Sequence, residues 1–179
     1  MNYQTINDFW FQELKPEQWF AKDPELDHSI AARFETVHDA AGKGELFPWR
    51  ETAEGRLAEI IVLDQFSRNI YRDMPLAFAF DSISLVLAQE AIRFGAHLEL
   101  SAQRRTFLYM PFMHSESPLI HHRAVELFSE PGLEKNLVFE LRHKAIIDRF
   151  GRYPHRNAIL GRLSSAEELA FLNTPGSSF

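Results

Sequence analysis

Residues 23–42, DPELDHSIAARFETVHDAAG, contain the signals that begin and end an α-helix. The Asp23 side chain can accept hydrogen bonds from free backbone N–H groups at a helix start, and Pro24 fits the first helical turn. Apolar residues then recur every three or four positions until Gly42, a residue type that commonly ends helices. The stretch predicts a helix over about 24–41.

The same signals predict further helices along the chain. The run IIVL at 60–63 is apolar on every side, which is typical of a central, buried helix. Aromatic residues near the N-terminus, FWF at 9–11 and WF at 19–20, are expected in the core. The predicted helices cover about 53–67, 76–94, 102–112, 118–129 and 133–150, with a short one from Pro154 and a last one, opened by Ser164-x-x-Glu167 and Ser165-x-x-Glu168, to about Asn173.

Length and composition are those of one globular domain. Of the 179 residues, 45% are hydrophobic and 16 are Phe, which is enough to form a packed core. Alternating strands, hairpin dipeptides and linkers rich in Pro, Gly or Ser are lacking before the tail. We predict a single all-α domain over 1–179 with about seven to nine helices and a flexible tail at 174–179.

Residue content excludes several classes of protein. Without cysteine the chain has no disulfide scaffold, thiolate nucleophile or zinc–cysteine site. The N-terminus does not resemble a signal peptide, and no apolar run approaches the roughly 18 residues that a membrane-spanning helix needs. A formal net charge of −6 disfavours nucleic-acid binding. We therefore expect a cytoplasmic protein without nucleic-acid or membrane partners.

A nine-residue motif recurs at an offset of 84 residues. The segments DQFSRNIYR at 64–72 and DRFGRYPHR at 148–156 share Asp, Phe, Arg and Arg at the same four positions. The offset accommodates two helix pairs, which predicts stacked antiparallel pairs of the tetratricopeptide kind with an approximate internal symmetry. The apolar runs that precede the two copies, 60–63 and 146–147, are expected in the same core.

The second copy lies in a basic segment of an otherwise acidic chain. Between Arg142 and Arg162 there are six Lys or Arg residues and one acid, Asp148. Because Arg binds carboxylate or phosphate through two parallel hydrogen bonds, this segment predicts an anionic ligand. Asp64 and Asp148, the acids of the two copies, are expected to be structural ion-pair partners of the arginines.

Polar residues from distant motifs are expected to form one cavity. Four clustered guanidinium groups repel one another unless acids or a bound anion neutralise them, and these motifs offer only Asp64, Asp148 and Glu116. A carboxylate or phosphate ligand would supply the missing negative charge. The predicted ligand-binding residues are Arg68, Asn69, Arg72, His114, Glu116, Arg152, His155, Arg156 and Asn157.

Other interpretations stay open. The arginines can instead fasten helix ends in a tetratricopeptide-like scaffold that binds a protein partner. Acid–base chemistry by His114, His143 or His155 is a further alternative, so the sequence does not decide whether the chain is an enzyme. No metal or other cofactor is expected, because no His-Glu-x-x-His pattern occurs and His114-Ser115-Glu116 has poor ligand spacing.

Three long motifs have a family resemblance when taken together. They are LDQFSRNIYR at 63–72, YMPFMHSE at 109–116 and RFGRYPHRN at 149–157, accompanied by the aromatic motifs near the N-terminus and GEL at 44–46. They resemble the bacterial family called domain of unknown function 924, over nearly the whole chain. The resemblance implies a helical, tetratricopeptide-like fold and implies no activity. Ser67 stands where the resemblance leads us to expect Pro, which affects the local turn.

Overall fold

The chain is helical in the computed structural model, which describes residues 1–178, and those residues contain no strand. The all-α prediction is confirmed. The α-helices are α1 Tyr3–Asp8, α2 Pro24–Gly42, α3 Ala53–Ile61, α4 Ser67–Ile70, α5 Asp81–Arg93, α6 Ala102–Met113, α7 Pro118–Phe128, α8 Glu134–Phe150 and α9 Ala166–Leu172.

Capping side chains begin the helices where the sequence places them. The Asp23 carboxylate accepts hydrogen bonds from the backbone N–H groups of Glu25 and Leu26 at the start of α2. Ser165 and Glu168 form the predicted reciprocal capping box of α9. These contacts are local in the chain, which is why the sequence predicts them.

One predicted helix differs from the structure. The segment 76–94 is divided into a 3₁₀ turn, Pro75–Phe78, and helix α5. In the tail, the Ser177 hydroxyl donates a hydrogen bond to the Leu172 carbonyl oxygen at 3.1 Å, and the flexibility of 174–179 stays a prediction. The predicted flexible tail also includes Phe179, which lies outside the described residues.

Helix α3 does not end near residue 67 but continues through a π-helical turn, Val62–Phe66, into α4. A π turn inserts an extra residue into the helical repeat and therefore changes which side chains face the interior. Asp64 and Gln65 lie in this turn and are both buried. Asp64 therefore lies within a continuous helical segment that extends from Ala53 to Ile70.

The apolar runs at 60–63 and 146–147 belong to separate clusters, so the prediction of a shared core is wrong. Buried groups at the junction between α7, α8 and the loop that follows α8 are polar. His121 Nδ1 lies 2.7 Å from Glu140 Oε1, and His121 Nε2 lies 3.2 Å from the Tyr153 hydroxyl. These buried polar contacts lie next to the small C-terminal cluster, of which Tyr153 is a member.

Aromatic side chains fill the main core around the N-terminal segment. Trp10 is 1% exposed, and its ring centroid lies 5.7 Å from that of Phe66 and 5.5 Å from that of Phe107. Phe9 is also buried, as expected. Phe20 was also expected in the core, but it stacks on Phe107 at the edge of the aromatic cluster and is 64% exposed.

One stretch of the described residues has the length and composition of a membrane-spanning helix. Pro75–Arg93 comprises 19 residues, and an 18-residue window within it has a mean hydropathy of 1.3, although the sequence suggested no such segment. Its residues Ser84, Ala88 and Ala91 are buried, and α5 packs against α3 and α6. The expected cytoplasmic location and lack of a membrane partner stay predictions.

Gly55 in α3 provides a test of close backbone packing. A Cβ atom at this position would overlap the Trp49 carbonyl oxygen. Ala is normally the better helix former, but overpacking costs about 1–3 kcal/mol, so we expect Gly55→Ala to lower the free energy of unfolding. Urea denaturation followed by circular dichroism measures the change. Equal or greater stability in the variant would contradict the close approach.

Candidate functional site

The two copies of the repeated motif have different surroundings. Asp64 is 1% exposed and pairs with Arg68, its Oδ1 lying 3.1 Å from Arg68 Nη1. The Asp148 side chain is 48% exposed and pairs with Lys144 at 2.6 Å rather than with an arginine. The predicted arginine partner is therefore found for Asp64, and the prediction is wrong for Asp148. Asp148 lies on the exposed face of α8, and its ion-pair partner is Lys144, one helical turn earlier.

Asp64 forms the buried base of a polar cluster. Its Oδ1 lies 2.8 Å from His114 Nδ1, and its Oδ2 accepts a hydrogen bond from Gln65 Nε2 at 2.5 Å. Burial acts to raise the pKa of Asp64, but the Arg68 charge and the interactions with His114 and Gln65 hold that pKa well below its usual value. Asp64 is consequently ionised at neutral pH.

The state of Asp64 determines the tautomer of His114. An ionised carboxylate only accepts hydrogen bonds, so His114 Nδ1 must carry the proton that lies between them. Burial, reinforced by the Arg68 charge, lowers the pKa of His114 despite the attraction of Asp64. The imidazole is therefore neutral at pH 7, and its Nε2 carries a lone pair.

A cavity of about 270 Å³ lies beside this cluster. Its walls come from the region between the 3₁₀ turn and α5, from the end of α6 and its following loop, and from the segment after α8. The polar lining residues are Asp81, Ser82, His114, Ser115, Glu116 and Arg156, and the apolar ones are Pro75, Phe78, Ala79, Leu85 and Leu160.

Arg156 is the buried cation of the cavity wall. It is 6% exposed, and its guanidinium carbon lies 4.6 Å from the ring centroids of both Phe78 and Tyr153. Nη1 donates to Asp81 Oδ2 and Nη2 to the His114 carbonyl oxygen, each at 3.0 Å. Nε is buried and has no hydrogen-bond partner within residues 1–178. Burial lowers the pKa of Arg156, an effect that Asp81 opposes and Arg68 reinforces.

Charges around the cavity balance, contrary to the excess of positive charge expected from the sequence. Asp81 pairs with both Arg68 and Arg156. Glu116 pairs with Arg162 at 2.6 Å and accepts the Tyr153 backbone N–H. Three acids thus match three arginines, namely Asp64, Asp81 and Glu116 with Arg68, Arg156 and Arg162.

Comparison with known proteins agrees with the resemblance of the motifs. The sequence profile of a family described as "Bacterial protein of unknown function (DUF924)" matches residues 6–176. The chain belongs to this family. It is 39% identical to a solved structure described as a protein of unknown function, ATU0120 from Agrobacterium tumefaciens, with a TM-score of 0.91 over 96% of each chain. No curated protein matches the chain.

The DUF924 motifs do not all converge on the cavity. Arg72 and Asn69 both bind Asp27 of α2, with Arg72 Nε at 2.5 Å and Asn69 Nδ2 at 2.8 Å from its carboxylate oxygens. Arg152 pairs with Glu168 at 2.6 Å. Asp27 and Glu168 bind these side chains away from the cavity. The expectation that all the predicted residues line one cavity is therefore wrong. Ligand binding by them stays a prediction.

Two further predicted residues lie near the cavity without lining it. Asn157 Nδ2 donates to the Ser164 hydroxyl, and its Oδ1 accepts a hydrogen bond from Arg162. The His155 ring centroid lies 5.5 Å from that of Tyr153. Burial lowers the pKa of His155 to about 4, so that this residue is neutral at pH 7. Both residues are direct neighbours of Arg156 in the chain, and their contacts hold the segment that contains it.

Sequence reasoning missed Asp81 and Arg162. Asp81 begins α5 and belongs to none of the family motifs, so no pattern in the sequence indicated its pairing with Arg68 and Arg156. In the sequence Arg162 is one of the six basic residues of segment 142–162, and nothing there distinguishes it from the others. Within residues 1–178 no group of three or more His, Asp or Glu side chains is placed to hold a metal ion, and the expected lack of a metal stays a prediction.

Proposed function

We propose that this DUF924 chain binds a small carboxylate or phosphate in the cavity beside α5, with Arg156 as the anion contact. The observation that carries this proposal is the buried Arg156 guanidinium, whose five N–H donors find only two hydrogen-bond acceptors in the described residues. An unsatisfied buried donor costs about 1–3 kcal/mol, and more when it is charged. An anionic oxygen in the cavity would recover part of that cost.

Neighbouring groups restrict the ligand further. His114 Nε2 offers a lone pair and Asp81 a carboxylate, so a ligand with a hydroxyl or amino donor beside its anionic group fits the wall. Since the surrounding charges already balance, a singly charged anion is favoured over a highly charged one. At about 270 Å³ the cavity lies just below the range of about 300–1,000 Å³ usual for small-molecule pockets.

A second candidate function is the tetratricopeptide-like scaffold. The pairs Arg72–Asp27 and Arg152–Glu168 support it, because each joins a motif arginine to another helix. These arginines have the contacts expected of structural fasteners. The motif arginines would then divide between two roles, with only Arg68 and Arg156 beside the cavity.

A thermal-shift panel of small carboxylates and phosphates tests the binding proposal. At about 100 times its Kd a ligand adds about 2.7 kcal/mol to stability, which for a chain of this length raises the Tm by about 5–10 °C. We expect this shift in the wild type and its loss in Arg156→Lys, because Lys cannot reproduce the guanidinium fork.

Arg152→Lys is the matched control, since Arg152 lies in the same loop and pairs outside the cavity. It should keep the anion response of the wild type. A wild type that no anion stabilises, or a shift that Arg156→Lys retains in full, would contradict the proposal. If both variants lost the anion-induced Tm shift equally, anion binding would depend on the loop that contains Arg152 and Arg156 rather than on Arg156 alone.

A further inference from the structure

His114 differs from the buried His121 in the use of its two ring nitrogens. His121 has acceptors at both, with Nδ1 2.7 Å from Glu140 Oε1 and Nε2 2.8 Å from the Ser115 carbonyl oxygen. His114 uses only Nδ1, which bonds to Asp64. Its Nε2 has no hydrogen-bond partner within residues 1–178, while the residue lines the cavity.

We propose that Asp64 and His114 form a general-base pair and that the cavity hydrolyses small anionic esters, His114 Nε2 accepting a proton from the attacking water. This inference rests on the proposed anion site, because Arg156 would hold the carboxylate of the substrate. Asp64 is a positioning residue, since its carboxylate keeps the proton on Nδ1 and so leaves a lone pair on Nε2 of a residue that lines the cavity. His114 is the catalytic residue.

The reaction is balanced with water as the only co-reactant. Water attacks the ester carbonyl carbon and forms a C–O bond as its proton passes to His114 Nε2. The bond between the carbonyl carbon and the leaving oxygen then breaks, and the alkoxide or phenolate departs with the electron pair. The His114 proton passes to the leaving group or to solvent, which regenerates the neutral imidazole.

The charged groups around His114 predict the pH dependence. Its pKa lies below the usual histidine value, chiefly because it is buried and because Arg68 is close. Since only the neutral form can accept a proton, hydrolysis should be at its maximum near neutral pH and decline in acid, at a pH below that of an ordinary histidine. The groups that face it are Asp64 and Arg68 from the π turn and α4, Asp81 from α5, Glu116 after α6, His143 from α8, and Arg156.

The experiment uses mono(4-nitrophenyl) succinate, which carries one carboxylate and an activated ester, and follows nitrophenolate release. We expect the wild type to exceed the rate of His114→Gln by about 100-fold, a typical contribution of a general base. His122→Gln is the matched control, because His122 is exposed on α7. Circular dichroism and thermal melting verify that each variant is folded.

Asp64→Asn provides a second, spectroscopic measurement. An Asn amide can donate to His114 Nδ1, so we expect the proton to move to Nε2 and the base to be lost. Nitrogen-15 NMR of the histidine side chains reports the tautomer, and the pH profile of hydrolysis reports its effect. If Asp64→Asn does not fold, the tautomer is read in the wild type, where Nδ1 should carry the proton.

Three results separate the possibilities. Succinate stabilisation of the wild type together with hydrolysis that depends on His114 supports both proposals. Succinate stabilisation with equal hydrolysis rates in folded wild type and His114→Gln overturns the general base and leaves the anion site intact. No stabilisation by succinate or any other anion in the panel overturns the anion site and the general base with it.

Discussion

Asp64→Ala is expected to lower the free energy of unfolding by about 3 kcal/mol, because it removes the buried one of the two acids that pair with the partly buried Arg68. Removing one member of a buried ion pair costs about 3–5 kcal/mol. We expect the lower end of that range, since Asp81 still faces Arg68 at 3.0 Å. Urea denaturation followed by circular dichroism measures the loss.

Asp148→Ala is the control that the repeated motif itself supplies. Asp148 occupies the same motif position as Asp64, but its side chain is 48% exposed and it pairs with Lys144 on the surface of α8. A surface substitution of this kind changes stability by no more than about 0.5 kcal/mol. Similar losses in both variants would show that the two copies are energetically equivalent and would contradict the difference in burial.

Trp10→Ala is expected to cost about 3–5 kcal/mol, the usual range for removing a large aromatic side chain from a core. Trp10 is 1% exposed and packs against Phe66 and Phe107, so its removal leaves a cavity between the N-terminal segment and the central helices. The midpoint and slope of denaturant unfolding, compared with those of the wild type, measure the effect.

Phe20→Ala tests whether position or residue type determines that cost. Phe20 belongs to the same aromatic group but is 64% exposed, so its loss should cost less than about 1 kcal/mol. Comparable destabilisation by the two substitutions would mean that the N-terminal aromatics act as one packing unit. In that case the exposed position of Phe20 would not describe its contribution to stability.

Helix positions were predictable because their signals lie within a few residues of each other. Asp23 and Pro24 begin α2, and Ser165 with Glu168 begins α9 through contacts that span one helical turn. The π turn at Val62–Phe66 was not predictable in the same way. An extra residue in a helical turn has no local motif and depends on what packs around it.

The candidate site was predictable only in part. His114, Glu116 and Arg156 were recognised as polar residues of distinctive motifs, and all three line the cavity. Asp81 was not recognised, because an acid at the start of a helix is common and its two arginine partners are distant in the chain. Pairing of this kind depends on which helices become neighbours.

The sequence by itself determined that the chain is all-α, where most helices begin and end, and the family to which it belongs. Only the tertiary structure decided which of two similar motifs is buried. Capping and helical periodicity are local properties, whereas burial depends on contacts between distant segments. Asp64 is buried and pairs with Arg68 and His114, while the Asp148 side chain is 48% exposed, and this difference places His114 beside a buried carboxylate.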